Sequence, residues 1–257
     1  LMIVAIIGLF TPLAAWEKTV EITANPTQLQ LMNNSEYGFE LQATVGKLNL
    51  KNITNKAGNF DELSIPGYGF SSRIGEAKLL VISKIFAVPL GAEVSFEILA
   101  NDSRELSSAE SGLSQRIIPV QESVSKSADP NSIRFELNES WYRRNELSRN
   151  PLFSIEEIGM MRGQRLFQFY YEPLRYNPVL NTLQLCTSAF IQVRFANPDL
   201  AATEAALAKT ASAEFEALYA KTIFNWDQSS RSSLVRHPSK ILILCPPAYS
   251  ATMTPYV

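Results

Sequence analysis

Cysteine, histidine, net charge and long apolar runs are all scarce in this chain, and each scarcity removes a class of function. Only two cysteines, Cys186 and Cys245, occur in 257 residues, and they lie in different parts of the sequence. They cannot build a disulfide framework, although one bridge between them stays open. The single histidine, His237, stands in a polar stretch beside Pro238. No Cys/His nucleophilic pair and no zinc ligand set is therefore written into these residues. A formal net charge of -2, without a long basic run, gives no electrostatic footprint for nucleic acid. No apolar stretch reaches the roughly 20 residues of a stable membrane span. Gly67 and Gly69 in "PGYGF" lack the strand-to-helix setting of a phosphate loop, and no metal site is expected in these residues.

What the chain does have is an apolar start and then a β pattern. "LMIVAIIGLFTPLAAW" is too short to span a bilayer and ends in small residues, as a secretory signal does. Residues 1–15 are read as that signal, cleaved near Ala15, which places the protein outside the cell or on its surface. From residue 16 to 198, "KTVEIT", "FELQATVGKLNLKNIT", "KLLVISKIFAV", "AEVSFEILA", "QRIIPVQ", "SIRFELN", "RLFQFYYEPLRY" and "TLQLCTSAFIQVRF" alternate with period two or are rich in β-branched residues. Gly, Pro, Asn and Asp clusters separate them. The fold class is mainly β, an antiparallel sandwich or barrel-like domain. In the last segment Leu183, Leu185, Ala189, Ile191, Val193 and Phe195 form one apolar face. "YNPVLN" must turn the chain before it, because Pro178 cannot donate to a ladder. Glu156-Glu157 reads as a solvated loop pair.

After Pro198 the pattern changes. Residues 199–228 are alanine-rich with apolar residues at helical spacing, and Asp199 is placed to cap a helix. Residues 229–239 form a polar, Ser-rich, basic linker suited to cleavage. "KILILC", at the head of residues 240–257, is a continuous apolar run expected as the buried first strand of an α/β domain. The loop "IIPVQESVSKSADPNSIRF" has β-like ends and a small, polar centre carrying Lys126 between Ser125 and Ser127. By composition it reads as a flexible surface loop, or as an extended segment offering one basic side chain to a pocket.

A set of ordered motifs then resembles a known family. Arg162-Gly163-Gln164, Pro173-Leu174, Tyr176-Asn177-Pro178 and Thr182-Leu183 follow the pattern R-G-Q…P-L-x-Y-N-P…T-L. "SKIFAVPLGAEVSFEI" and "EFEALYAKTIFNW" resemble the family's strand pair and its closing F…Y…F-x-N-aromatic helix. The chain is similar to the N-terminal prodomain of the gingipain-type cysteine peptidases, bacterial endopeptidases with a caspase-like catalytic domain. It departs from them in "GEAKLLVIS", which lacks the family's proline-rich P-x-L-P.

The resemblance implies a prodomain that chaperones and inhibits its own catalytic domain, in a precursor exported by bacterial secretion machinery. It places Lys126, flanked by Ser125 and Ser127, at the basic position of an inhibitory loop. It places the processing site at Arg231, with Arg236 as the second candidate. The catalytic Cys/His pair is expected beyond Val257, and any calcium requirement belongs to that domain, not to this one. Three other readings are a secreted β-sandwich adhesion module, with Trp141 and Tyr142 as its exposed aromatics, the front domain of a related cell-surface processing peptidase, and a purely structural sandwich preceding an unrelated α/β domain.

Overall fold

The structure, a computed structural model, describes residues 17–129, 133–226 and 245–253. Two long strands form its spine. Strand β8 (Glu93–Leu106) pairs antiparallel with β12 (Thr182–Ala196) along nearly their full length. The opposite edge of β12 is shared end to end by β11 (Leu174–Asn177) and β3 (Gly38–Thr44), and β2 (Gln28–Ser35) pairs with β3. The second sheet has the order β6 (Gly69–Phe70), β7 (Leu80–Val88), β10 (Gln164–Tyr171), β9 (Phe153–Met161). The third is β1 (Glu17–Glu21), β4 (Lys47–Asn55), β5 (Gly58–Ser64). Every strand pairing in these sheets is antiparallel, and the sheets pack as a sandwich without closing into a barrel.

The apolar face expected on the last long strand is buried from Leu183 to Phe195, with alternate positions half-exposed or exposed. That strand joins two cores. Leu183 and Leu185 pack with Leu48, Leu50 and Leu63 of the third sheet, and with Ile117, Trp141 and Tyr142. Ala189, Ile191, Val193 and Phe195 pack with Phe39, Phe86, Phe167 and Phe169 between the two larger sheets. Phe39 meets Phe86 edge-on at 5.3 Å, and Phe153 stacks on Phe169 at 5.2 Å. Each such fully buried aromatic contributes about 1.5–3 kcal/mol by burial alone. Cys186 is the exception on the polar face: it is buried, burial raises its thiol pKa, and neither Cys186 nor Cys245 is bridged.

Several sequence expectations are corrected. "QRIIPVQ" makes isolated bridges rather than a strand, and residues 133–138 of "SIRFELN" have no regular structure. Glu156 and Glu157 lie on β9, not in a loop; Glu157 makes a two-pronged pair with Arg165 at 2.8–2.9 Å, which lowers its pKa. The helical segment after Pro198 is two helices, α3 (Leu200–Thr210) and α4 (Ala213–Thr222), in chain order after the short α1 (Ser108–Ser111) and α2 (Glu139–Tyr142). Asp199 does cap α3, accepting from Ala202 N at 2.8 Å. The break falls at Ala211, whose backbone is extended.

The R-G-Q turn fits against that break. Arg162 donates to Thr210 O at 2.9 Å, Thr210 Oγ1 donates back to Arg162 O, and the guanidinium lies 4.2 Å over the Phe215 ring. Gly163 has φ +82, and a Cβ there would come within 2.9 Å of Ala206 O, so only glycine fits. Beyond α4, Ile223 bridges Ile85, and the Asn225 amide both accepts from Ala87 N (2.7 Å) and donates to Ala87 O (2.9 Å). The tail thereby covers the free edge of β7. "KILILC" falls at residues 240–245, of which 240–244 lie outside the described residues; beyond it come a 3-10 turn (Pro247–Tyr249) and α5 (Ser250–Met253).

Candidate inhibitory loop and its base

The segment from Ile117 to Asn138 leaves the body of the sandwich and returns to it, and both stems are held by the same short stretch, Gly75 to Lys78. On entry, Lys78 N donates to Ile118 O, Val120 N donates to Glu76 O, and Gly75 N donates to Val120 O, at 2.8–2.9 Å. On return, Asn138 N donates to Gly75 O at 2.9 Å. Gly75, at φ +77, sits so close that a Cβ would lie 3.0 Å from Asn138 N. The Gln121 side chain closes the neck. Its amide donates to Glu136 O at 2.8 Å, and its carbonyl accepts from Glu136 N at 3.0 Å, as a paired strand residue would.

The entry stem is fixed more firmly still from inside. Asp61, fully buried on β5, accepts from Ser114 N (2.7 Å) and Gln115 N (2.8 Å) through one carboxylate oxygen, and from the Asn52 amide through the other. Its backbone accepts from Ile118 N and donates to Arg116 O, so β5 carries the stem as an extra parallel bridge. Two tyrosines complete the anchorage at Ile117. Tyr142 OH donates to Ile117 O at 2.7 Å, and Tyr176 OH, which donates to Asn181 Oδ1 at 2.6 Å, accepts from Ile117 N at 3.4 Å. Burial pushes the Tyr176 hydroxyl up to about 12 and raises that of Tyr142 as well, so both stay protonated as donors.

The "YNP" hairpin is therefore more than a turn. Asn177 Oδ1 accepts from Val179 N and Leu180 N, and its amide donates to Asn145. Asn181, at φ +52, lends its side chain to Tyr176 and to Gln115 O. This geometry holds Tyr176, which is wholly buried, under the loop's entry stem. Trp141 and Tyr142, the aromatics an adhesion surface would expose, are 5% and 6% exposed and pack beneath the loop.

At the tip, Ser125, Lys126 and Ser127 are all exposed. Ala128 N donates to Ser125 O at 3.0 Å, Ser127 N donates to Ser125 Oγ at 3.3 Å, and the two serine hydroxyls lie 2.8 Å apart. Lys126 is thus the second residue of a tight turn, and among the described residues it has no carboxylate partner. Asp61, Gln121 and Tyr142, which build the base, carried no signal in the sequence, because the partners that tie them to the loop stems lie 9 to 54 residues away. Ala15, Arg231, Arg236 and His237 lie outside the described residues. No cluster of three or more His, Cys, Asp or Glu side chains suited to a metal ion occurs among the described residues.

Residues 18–233 match the family model described as Propeptide_C25. The chain belongs to the Propeptide_C25 family. Among curated proteins, Lys-gingipain HG66 and Lys-gingipain W83 of Porphyromonas gingivalis are each 28% identical over 258 residues, which is 100% of this chain. The chain spans only 15% of the length of these relatives. Among solved structures, one from a study of the zymogenic latency of gingipain K from Porphyromonas gingivalis superposes with a TM-score of 0.66 at 28% identity, covering 70% of this chain and 98% of that one. A complex of the pro- and mature domains of Porphyromonas gingivalis RgpB gives 0.62 at 19% identity, covering 78% and 98%, and speaks to the fold alone. The resemblance carried by the R-G-Q and Y-N-P motifs is borne out: this is a gingipain-type prodomain.

Proposed function

We propose that the chain inhibits, and assists the folding of, the catalytic domain of a secreted gingipain-like cysteine endopeptidase, and that Lys126 enters the primary specificity pocket of that domain. The observation that carries this reading is the loop itself: one exposed cation, without a carboxylate partner among the described residues, at the tip of a segment whose two stems are bonded to the sandwich. The backbone that carries this side chain is ordered before binding, which lowers the entropic cost of docking. A charge-assisted hydrogen bond from the ammonium to a pocket carboxylate contributes roughly 1.5–3 kcal/mol. The rest of the inhibition comes from the surrounding interface, on the order of 1,600 Å². Release follows cleavage in the basic linker, after Arg231 or, failing that, Arg236. The solved pro- and mature-domain complex of the RgpB protein supports a prodomain of this fold binding its own enzyme.

The test is inhibition of mature gingipain K by the purified chain and by its Lys126→Ala variant. The variant is expected to inhibit about tenfold to hundredfold less well, the equivalent of the hydrogen bond above. Equal inhibition at matched concentration excludes the role of Lys126. N-terminal sequencing of the matured enzyme checks the junction, and a first residue following neither arginine refutes it.

A further inference from the structure

We infer that the Ser125–Ala128 turn makes Lys126 a bait that resists being cut, with the Ser125 and Ser127 hydroxyls holding the scissile Lys126–Ser127 bond out of a substrate conformation. The inference rests on the proposed presentation of Lys126 to a peptidase. A peptidase cleft binds its substrate extended on both sides of the bond it cuts, with backbone hydrogen bonds to residues before and after it. Here the bond after Lys126 is the central peptide of a turn. The Ala128 N–H is taken by Ser125 O at 3.0 Å and the Ser127 N–H by Ser125 Oγ at 3.3 Å. The 2.8 Å contact between the serine hydroxyls ties the two sides of the bond together.

The chain past Lys126 therefore folds back instead of running on. Ala128, three residues after Ser125, is partly buried, whereas residues 121–127 are all exposed. The neck closed by Gln121 and Glu136 limits how far the tip can open without pulling on the base. An exposed loop tip is ordinarily where proteases nick a domain. A lysine at such a tip survives beside an enzyme that cuts after basic residues only if its bond is withheld. The turn withholds the bond while leaving the side chain free. Cleavage at such a site tracks the population of the opened form, so hydrogen bonds that close the turn translate directly into resistance.

The experiment compares the full chain with a Ser125→Ala/Ser127→Ala double variant. Trypsin is one probe and mature gingipain K the other, and mass spectrometry follows the fragment ending at Lys126. Removing both hydroxyls should speed cutting after Lys126 about tenfold with either protease, the effect of two modest hydrogen bonds. An unchanged melting temperature shows that the sandwich is intact. Equal cutting rates for the native and double-variant chains by trypsin overturn the inference. That arm does not require the chain to inhibit anything. Failure of the inhibitory reading appears separately, as unchanged inhibition of gingipain K by Lys126→Ala.

Discussion

Replacing Asp61 by alanine tests the architecture of the loop base most directly. The carboxylate is fully buried and receives the backbone N–H groups of Ser114 and Gln115 at 2.7 and 2.8 Å, together with the Asn52 amide. Hydrogen bonds to a charged acceptor contribute about 1.5–3 kcal/mol each. Ser114 and Gln115 are themselves exposed, so water recovers part of what their N–H groups lose. The expected cost of Asp61→Ala is therefore about 2–4 kcal/mol rather than the full sum. Asp61→Asn keeps an oxygen facing the two N–H groups and should cost no more than about half as much. Urea unfolding followed by tryptophan fluorescence measures both variants. Hydrogen exchange at Ser114, Gln115, Ile117 and Ile118 should accelerate in the alanine variant while the β12 amides keep their protection. The reasoning fails if alanine costs no more than asparagine, or if exchange in residues 114–118 is unchanged.

Other consequences concern the tail and the tyrosines. Asn225→Ala removes both amide bonds to Ala87 and should cost about 1–3 kcal/mol, releasing residues 223–226 from the β7 edge; Ala87 amide exchange that stays slow contradicts this. At high pH, burial raises the hydroxyls of Tyr68, Tyr142, Tyr171 and Tyr176 above the ordinary value near 10, Tyr176 to about 12. The native state keeps protons that the unfolded chain gives up, so stability is full below pH ~10 and falls as pH rises through the native values. The slope is about 1.4 kcal/mol per pH unit for each such tyrosine. Absorbance at about 295 nm should show most of these tyrosines ionising only as the circular dichroism is lost. Titration near pH 10 with the fold intact would contradict the burial argument.

The sequence by itself determined the elements whose signal is local. Alternation placed the apolar face of β12, Asp199 announced the start of α3, and Asn177-Pro178 forced a turn. The ordered motifs were enough to point to a gingipain-type prodomain. Strands β2, β5 and β9 were not legible, since "QLQLMNNS", "GNFDELS" and "FSIEEIGMM" are largely polar or interrupted by charge. They are strands because neighbouring strands satisfy their backbone groups, and edge positions leave most of their polar side chains in water, the buried Asp61 of β5 being bonded within the protein instead. The opposite error, in "QRIIPVQ" and "SIRFELN", has the same origin: β-branched residues favour extended backbone but do not supply a partner.

The base of the loop was decided by tertiary structure alone. Nothing in the sequence near Asp61 reveals that its carboxylate will meet amides 53 and 54 residues later, or that two tyrosines from distant segments will close on Ile117. Periodicity reports only which way a side chain points along its own element. Which buried polar group finds which partner depends on how the three sheets pack, and that packing turns a polar, lysine-bearing stretch into a loop with fixed ends.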